Sequence, residues 1–133
     1  MKAKTYSKAT QGSDKLSKNF RVDEFACNDG SDKILIADEL VLLLQAIRTH
    51  FKRAVVMNSA YRNLRYNRSI GSSDSSYHVK GMAADFNVAG FSPSAVRKEI
   101  ESGNVKGVCP DQIGLGSYPG FTHIDSRGFK GRW

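Results

Sequence analysis

Residues 81–90, GMAADFNVAG, constrain the fold more than any other stretch of the chain. Apolar side chains alternate along it, so that in a strand Ala84, Phe86 and Val88 share one face and Asp85 lies on the opposite face. A strand of this kind buries its apolar face against a second layer and leaves the other face polar. The stretch therefore predicts a sheet covered on one side, with a carboxylate on its uncovered side.

The covering layer is predicted from two helical segments. In residues 38–51 apolar side chains recur at i, i+3, i+4, i+7 and i+11, and Asp38 is the expected N-cap. This stripe is formed by Leu40, Leu43, Leu44, Ile47 and Phe51. A second helix is expected between Ser92, which precedes Pro93 at the first helical position, and Gly103.

The remaining segments complete the sheet. Residues 54–62, AVVMNSAYR, have the β-branched and aromatic content of a strand, and 64–70 form a short polar segment with helical character. Residues 113–128 read as a β-hairpin with Gly and Pro at its turn, and the period of two places His123 and Asp125 on one face. The predicted fold class is a compact α+β domain, with a mostly antiparallel sheet, helices packed on one face and an open groove on the other.

Size and composition limit the possibilities further. With 133 residues the chain has room for one core, and we expect 1–19, which carry five lysines, to be a loosely ordered arm or leader ahead of a domain at 20–133. Cys27 and Cys109 could form one disulfide, but neither belongs to a Cys-x-x-Cys pair, and we expect both to be unpaired thiols. We find no apolar run of about 20 residues and no apolar start typical of a signal peptide. A net charge of +7 favours polyanions, including nucleic acid, anionic membranes and anionic wall polymers, without selecting one.

Two of the three histidines suggest a metal site. His50 is expected to be a solvated residue near the end of the first helix, where a positive charge suits the helix dipole. His78 follows a serine-rich loop ahead of the first strand described above, and His123 lies within another strand. With Asp85 they supply two imidazoles and one carboxylate, the ligand set of a catalytic zinc site with a fourth position for water. The structural alternative is an aspartate that caps a turn or pairs with a lysine.

Three segments resemble the signatures of one known family. SYHVKGMAAD at 76–85 matches Ser-x-His-x-x-Gly-x-Ala-x-Asp, the signature of the zinc D-alanyl-D-alanine carboxypeptidases and L-alanyl-D-glutamate endopeptidases of bacteria and phages. YPGFTHIDSRG at 118–128 resembles the second signature, which contains a zinc-binding histidine, and NSAYRNLRYN at 58–67 resembles the Ser-x-Tyr-Arg segment. The matches follow the family's order over roughly residues 17–133. The resemblance implies the family's fold, which is shared with the Hedgehog signalling domain.

The resemblance also implies a site. His78, Asp85 and His123 would bind one zinc ion per chain, and Arg62 would steady the substrate carbonyl and the developing oxyanion. Zinc lowers the pKa of bound water to about 7 and polarises the amide carbonyl. A carboxylate would then carry the proton to the leaving amine.

The chain departs from the family at this carboxylate. Many members carry Glu or Asp three residues before the final zinc histidine, where this chain has Gly120. Asp125 is the nearest replacement, because it shares a face with His123. Two roles are open for Asp125: a general base, which we slightly favour, or an acceptor that fixes the tautomer of an imidazole.

Other residues beside the motifs have a functional and a structural interpretation. Tyr77 and Tyr118 are candidate substrate contacts, but aromatic residues beside strands often belong to the core or its rim. Ser76 is a candidate contact or a loop cap.

The segment after the hairpin is basic. Its cations are Arg127, Lys130 and Arg132, which can grip an acidic wall polymer or remain solvated. Trp133 is expected to fold back onto the body.

The function predicted first is a zinc metallopeptidase that hydrolyses peptidoglycan stem peptides, as a lysin or wall-remodelling enzyme. It would act as a monomer on the bacterial wall, released by lysis or exported as part of a larger protein, with no specific nucleic acid partner and no membrane span. The sequence leaves open whether it acts as a carboxypeptidase or as an endopeptidase. A non-catalytic wall-binding domain of the same fold is the alternative, because of Gly120. A nucleic-acid-binding module has only the charge in its favour.

Overall fold

The computed structural model describes residues 3–133. The strands are β1 (Ala3–Ser7), β2 (Lys15–Ser17), β3 (Phe20–Arg21), β4 (Lys33–Ala37), β5 (Val55–Ser59), β6 (Ala83–Val88), β7 (Gly114–Ser117), β8 (Thr122–Asp125) and β9 (Gly131–Arg132). The helices are α1 (Lys8–Gln11), α2 (Asp38–Phe51), α3 (Leu64–Ser69) and α4 (Pro93–Glu101). Short 3-10 turns lie at Val22–Phe25 and Pro110–Gln112.

A five-stranded sheet forms the centre of the fold, in the order β5-β6-β8-β7-β9. Its pairs are antiparallel except β7 with β9, which run parallel. Ala84, Phe86 and Val88 of β6 belong to one buried core with residues of α2 and α4. Asp85 lies between them in sequence and points to the opposite face, so the predicted α+β architecture with a one-sided cover is confirmed.

Helix α2 has the predicted bounds, but its N-cap differs from the prediction. Ala37 is the N-cap and contributes no side-chain bond, while Asp38 is the first helical residue and pairs with Lys4 at 3.0 Å. An acidic side chain in the first turn still opposes the positive end of the helix dipole. The helix ends at Lys52, whose left-handed backbone (φ 55°) lets its N–H bond back to the Arg48 carbonyl.

Helix α4 begins as the sequence predicts. The Ser92 hydroxyl accepts a hydrogen bond from the Ala95 N–H at 3.1 Å, and Pro93 occupies the first helical position. Val96 and Ile100 are buried against the sheet. The predicted hairpin is also present, with β7 and β8 antiparallel around the turn at 118–121.

The segment predicted to be an arm, residues 1–19, contains β1, α1 and β2 from residue 3 onward. Strand β1 pairs with β4 over five residue pairs, from Ala3 with Ala37 to Ser7 with Lys33. The Asp32 carboxylate also accepts hydrogen bonds from the Ser7 hydroxyl at 2.8 Å and the Ala9 N–H at 2.7 Å. A largely polar segment is thus ordered by backbone pairing, which its composition does not reveal.

Three smaller predictions concern His50 and the cysteines. Cys27 and Cys109 are both unpaired, as predicted, but Cys109 is exposed while Cys27 is buried. His50 is half-buried and contacts Glu99 of α4 at 2.7 Å, so it joins two helices instead of capping one in solvent.

Among residues 3–133, no helix combines the length and the hydrophobicity that crossing a bilayer requires.

Candidate metal centre

Two neighbouring strands bring the predicted site residues together. Asp85 of β6 and His123 of β8 are directly opposed in the antiparallel register, so their side chains lie side by side on the uncovered face of the sheet. His78 arrives from the loop before β6, which is tied to the 60–62 segment because the Arg62 N–H donates to the His78 carbonyl at 3.1 Å. The three side chains meet although they are separated by up to 45 positions (123 minus 78) in the sequence.

Asp85 lies between the two imidazoles. Its Oδ1 is 3.2 Å from His78 Nε2 and 3.0 Å from His123 Nδ1, and one ligand atom from each of the three residues lies within 4.8 Å of the others. All three residues are buried. This is the set of nitrogen and oxygen donors that a zinc ion accepts.

The partners on the far side of each imidazole fix its tautomer. His78 Nδ1 is 2.7 Å from the Ala60 carbonyl oxygen, which only accepts, so Nδ1 carries the proton. His123 Nε2 is 2.8 Å from Oδ2 of Asp125, a carboxylate that accepts the Nε2 proton. In the neutral rings the remaining lone pairs, on His78 Nε2 and His123 Nδ1, then both point at Asp85 Oδ1.

Three electron-pair donors therefore converge with no hydrogen between them in the neutral state. A cation at this point satisfies all three at once, so the residues fit a divalent metal ion. Without a metal, protonation relieves the same conflict. Although burial of His123 disfavours its charged form, hydrogen bonds to Asp125 and Asp85 outweigh this effect and raise the pKa of His123.

Asp85 is held in its ionised form. Burial opposes the charge, but hydrogen bonds with His123 and His78 prevail and lower the pKa of Asp85 to about 2. Arg62 also pairs with its outer oxygen, with 3.1 Å between the guanidinium Nη2 and Oδ2.

Three hydrogen bonds to other side chains hold the Arg62 guanidinium in place. Its Nε donates to the Ser59 hydroxyl at 3.0 Å and its Nη1 to Asn67 Oδ1 at 3.3 Å, in addition to the pair with Asp85. Its side chain is only 12% exposed. A guanidinium has five N–H donors, so these three bonds leave two donors for another acceptor.

Asp125, the candidate general base, is fully enclosed and occupied. Arg127 donates Nε to Oδ1 at 2.7 Å and Nη2 to Oδ2 at 2.8 Å, the backbone N–H of Arg127 reaches Oδ1 at 3.3 Å, and His123 takes the remaining position on Oδ2. Burial raises the pKa of Asp125, but the bonds from Arg127 and His123 outweigh this and hold it well below the usual range. Both carboxylate oxygens of Asp125 are therefore already engaged by Arg127 and His123.

Arg127 is the residue that the sequence analysis did not identify as part of the site. It was assigned to a basic segment, yet its side chain is 15% exposed and forms a bidentate pair with a fully buried carboxylate. Arg132 is likewise bonded, to Glu101 and to the Pro110 carbonyl, while Lys130 approaches exposed Asp111 only to 4.0 Å. A basic residue two positions from a buried strand aspartate was the available signal, since a buried charge requires a partner.

A cavity of about 610 Å³ opens above the three residues, and we call it the groove. It is lined by Arg62, Ile70, Gly71, Ser72, Ser73, Ser75, Ser76, Tyr77, His78, Asp85, Tyr118, Phe121, His123, Asp125, Arg127 and Trp133. The predicted substrate contacts Ser76, Tyr77 and Tyr118 are all among them. The Ser76 hydroxyl also accepts from the His78 N–H at 3.2 Å, so the loop-cap interpretation has a contact as well.

Two glycines of the site motifs, Gly120 and Gly81, have different surroundings. Gly120 lies in the turn before β8, where a Cβ would meet nothing within 4 Å. Gly81 has φ +73°, and a Cβ there would lie 2.6 Å from the Leu35 carbonyl oxygen. The small size of Gly81 therefore accommodates the backbone of β4. The Ala37 N–H of this strand donates to the Gly81 carbonyl at 2.9 Å.

This is an α+β domain whose sheet presents two imidazoles and a carboxylate beneath an open groove, an arrangement compatible with a metal-dependent hydrolase. Residues 15–125 match the family model described as peptidase M15, and the chain belongs to this family. Its members are metal-dependent, and the His78, Asp85 and His123 cluster is the group in the described chain that can hold a metal ion.

Curated relatives agree with this membership. The chain is 37% identical over 82 residues to the peptidoglycan L,D-endopeptidase MepK of Escherichia coli strain K12, and matches of the same extent occur to MepK of Escherichia coli O157:H7 and of Shigella flexneri. Each match covers 56% of this chain and 41% of the relative. The chain thus matches less than half the length of these proteins.

Proposed function

We propose that this chain is a zinc-dependent peptidase that cleaves peptide bonds in the stem peptides of peptidoglycan. The observation that carries the proposal is the convergence of His78 Nε2, Asp85 Oδ1 and His123 Nδ1 on the uncovered face of the sheet. Membership of the peptidase M15 family and the similarity to MepK support it. The positive net charge of +7 suits an anionic wall as the place of action.

His78, Asp85 and His123 would hold one zinc ion per chain. When bound, zinc polarises the scissile carbonyl and lowers the pKa of a coordinated water to about 7. The Ala60 carbonyl and Asp125 keep the two imidazoles in the tautomers that present a lone pair.

Arg62 would act on both the site and the substrate. It restrains the outer oxygen of Asp85, it lines the groove, and it keeps two N–H donors for a substrate acceptor. A fixed guanidinium there stabilises the negative charge that develops on the substrate carbonyl oxygen. Tyr77, Ser76 and Tyr118 are proposed to contact the stem peptide along the walls of the groove.

The charges of the groove favour an endopeptidase over a carboxypeptidase. Arg62 and Arg127 are the cationic side chains among the described lining residues, and each is paired with a buried aspartate. A carboxypeptidase must bind the terminal carboxylate of its substrate, for which an unpaired cation is the usual partner. Cleavage of an internal bond between an L- and a D-residue, as the name L,D-endopeptidase describes for MepK, places no such carboxylate at the site.

The second candidate function is a non-catalytic wall-binding domain, and the engagement of both groove carboxylates favours it. Within the described groove lining, Asp85 and Asp125 are the carboxylates, and both are engaged by arginine and histidine. For the enzyme, we propose that Asp125 serves as the acceptor that orients His123 and is not the general base. A binding domain needs no proton carrier, so the absence of an unengaged carboxylate among the described lining residues is compatible with it.

Digestion of defined muropeptides separates these possibilities. Purified protein should contain about one zinc per chain by elemental mass spectrometry. Mass spectrometry of stem peptides that end in D-Ala-D-Ala should show internal cleavage at an L,D bond and no release of free D-alanine. Release of D-alanine alone would contradict the endopeptidase assignment.

Two controls make the digestion decisive. Asp85→Asn should lose both zinc and products, because it replaces the central ligand. Fully zinc-loaded protein that binds isolated walls but yields no product from any muropeptide would contradict the enzyme and favour the binding domain.

A further inference from the structure

The strand next to His123 has glycines on the site face. In the antiparallel register of β7 and β8, Gly114 faces Asp125 and Gly116 faces His123, while Leu115 between them is buried in the core. Both glycines have ordinary backbone conformations, because neither has a positive φ. Their lack of a side chain therefore provides space and not a special turn.

Other side chains fill this space. A Cβ at Gly116 would lie 2.7 Å from Nε1 and 2.8 Å from Cε2 of Trp133. A Cβ at Gly114 would collide with the Asp125 carboxylate and with Nε of Arg127, and one at Gly131 of β9 would also collide with Arg127. Arg127 and Trp133 thus occupy the positions that β7 side chains would take.

Trp133 is anchored on three sides. Its backbone N–H donates to the Leu115 carbonyl at 3.3 Å and its carbonyl accepts from the Ser117 N–H at 2.7 Å. Its indole Nε1–H donates to the Tyr118 hydroxyl at 2.9 Å. These bonds confirm that Trp133 folds back onto the body, and they explain why a side chain that is 47% exposed has a defined position.

From this position the indole contacts the group that supports the metal centre. Its ring centre is 4.8 Å from that of the His123 imidazole, and the Arg127 guanidinium lies 5.0 Å from the indole ring centre. Arg127 in turn holds Asp125, which bonds to His123 Nε2. His123, Asp125 and Arg127 contact one another in series, and the indole packs against the first and the last of them. This series of contacts sets the direction of His123 Nδ1.

We propose that Trp133 is a positioning residue of the metal centre: seated on Gly116, it holds the imidazole of His123 and the Asp125–Arg127 pair in the geometry that binds zinc. The inference rests on the proposed metal centre. It assigns to Trp133 an effect on zinc affinity through His123, with no direct contact to the ion.

The test compares two glycine substitutions in the same hairpin. Gly116→Ala puts a methyl group into the seat of the indole and 3.0 Å from the Cβ of His123, whereas Gly120→Ala adds the same group where nothing lies within 4 Å. Trp133→Phe, described below, tests the indole without this contact to His123. We expect Gly116→Ala to weaken Zn²⁺ binding about tenfold, the scale seen when groups that orient metal ligands are changed. Gly120→Ala should bind Zn²⁺ as the wild type does. Affinity is measured by competition with a chelator of known Kd.

The chain has one tryptophan, so its fluorescence reports on this position alone. Adding Zn²⁺ should change the emission of the wild type and of Gly120→Ala, because His123 becomes a ligand beside the indole. The change should be smaller in Gly116→Ala. An equal response in all three proteins would count against the proposal.

A second variant keeps the test valid if Gly116→Ala fails to fold. Trp133→Phe retains an aromatic ring but loses the bond to Tyr118 and part of the contact with His123. It should also weaken Zn²⁺ binding, whereas a purely structural role predicts a lower Tm of the metal-free protein with an unchanged Kd. Wild-type affinity in both variants overturns the role of Trp133, and a wild type that binds no Zn²⁺ overturns the metal centre and that role together.

Discussion

Asp125 shows how the site depends on the protonation of a single nitrogen. Both of its oxygens accept, and the bond to His123 Nε2 leaves the lone pair on Nδ1, facing Asp85. An asparagine in the same place would put an N–H₂ group against donors of Arg127 or His123. The imidazole would then favour the other tautomer, with its proton directed at the metal position.

We therefore expect Asp125→Asn to weaken zinc binding by about 10–100-fold and to lower turnover with it. Isothermal titration with Zn²⁺ and muropeptide digestion at saturating zinc measure the two effects separately. Asp111→Asn is the matched control, because its carboxylate is exposed and lies 4.0 Å from Lys130. Loss of turnover with unchanged zinc affinity would contradict the orienting role and restore the general-base role.

At the scale of single residues, the sequence predicted the three side chains that the structure brings together, but not the side chains that contact them. His78, Asp85 and His123 follow from residue type, strand alternation and the resemblance of their motifs. Arg127 was not identified, although it lies two positions from a strand aspartate, because the sequence alone does not show that Asp125 is fully buried. The glycines of β7 were visible as a Gly-x-Gly pattern in a strand, but only the register shows which side chains fill their space.

Among the secondary-structure elements, helix α4 should affect the stability of the fold without affecting the candidate metal centre. It packs on the covered face of the sheet through Val96 and Ile100, away from the metal centre. Its N-terminus depends on the Ser92 hydroxyl, which accepts from the Ala95 N–H at 3.1 Å. Damage to this cap should change the free energy of unfolding and leave the site intact.

Ser92→Ala should lower the free energy of unfolding by about 1 kcal/mol. Urea denaturation measures this change, and chelator competition should give the wild-type zinc Kd. Ser94→Ala, in the exposed first turn of the same helix, should change stability by less than about 0.5 kcal/mol. An altered zinc affinity in Ser92→Ala would mean that the two faces of the sheet are coupled.

The elements also show where prediction from sequence stops. α2, α4 and the β7–β8 hairpin were predicted because each carries its own signal: a periodic stripe, a Ser-Pro start, or a Gly-Pro turn. Strand β1 has no such signal, since its polar residues are ordered by pairing with β4, which lies about 30 positions away in the sequence. Long-range backbone pairing leaves little trace in local composition.

For the whole molecule, one sheet separates two environments. The covered face supplies the hydrophobic core, while the uncovered face buries the carboxylates of Asp85 and Asp125 and partly buries Arg127. The family match over residues 15–125 spans both. We therefore expect both the stability of the protein and metal binding at the proposed centre to depend on pH.

The direction of this response follows from the pKa shifts. Asp85 and Asp125 have lowered pKa values, so their stabilising effect is present above the unfolded value of about 4 and is lost as the pH falls towards 2. His123 has a raised pKa, so in the metal-free protein its contribution is complete below about pH 6.5 and is lost as the pH rises through the folded value. Zinc binding has the opposite dependence on His123, because only the deprotonated imidazole is a ligand.

We expect the Tm difference between zinc-loaded and metal-free protein to widen from pH 5 to pH 8. At a fixed free Zn²⁺ concentration the apparent Kd should fall as His123 deprotonates, so zinc should stabilise the protein more at pH 8 than at pH 5. The gain reaches about 2.7 kcal/mol where the free concentration is about 100 times the Kd. Thermal melts in zinc or in chelator at each pH measure the difference. Asp85→Asn should show almost no difference at any pH, since it lacks the central ligand. A difference that is equal at pH 5 and pH 8 in the wild type would mean that zinc does not compete with protons for His123, and the metal centre would then have to lie elsewhere.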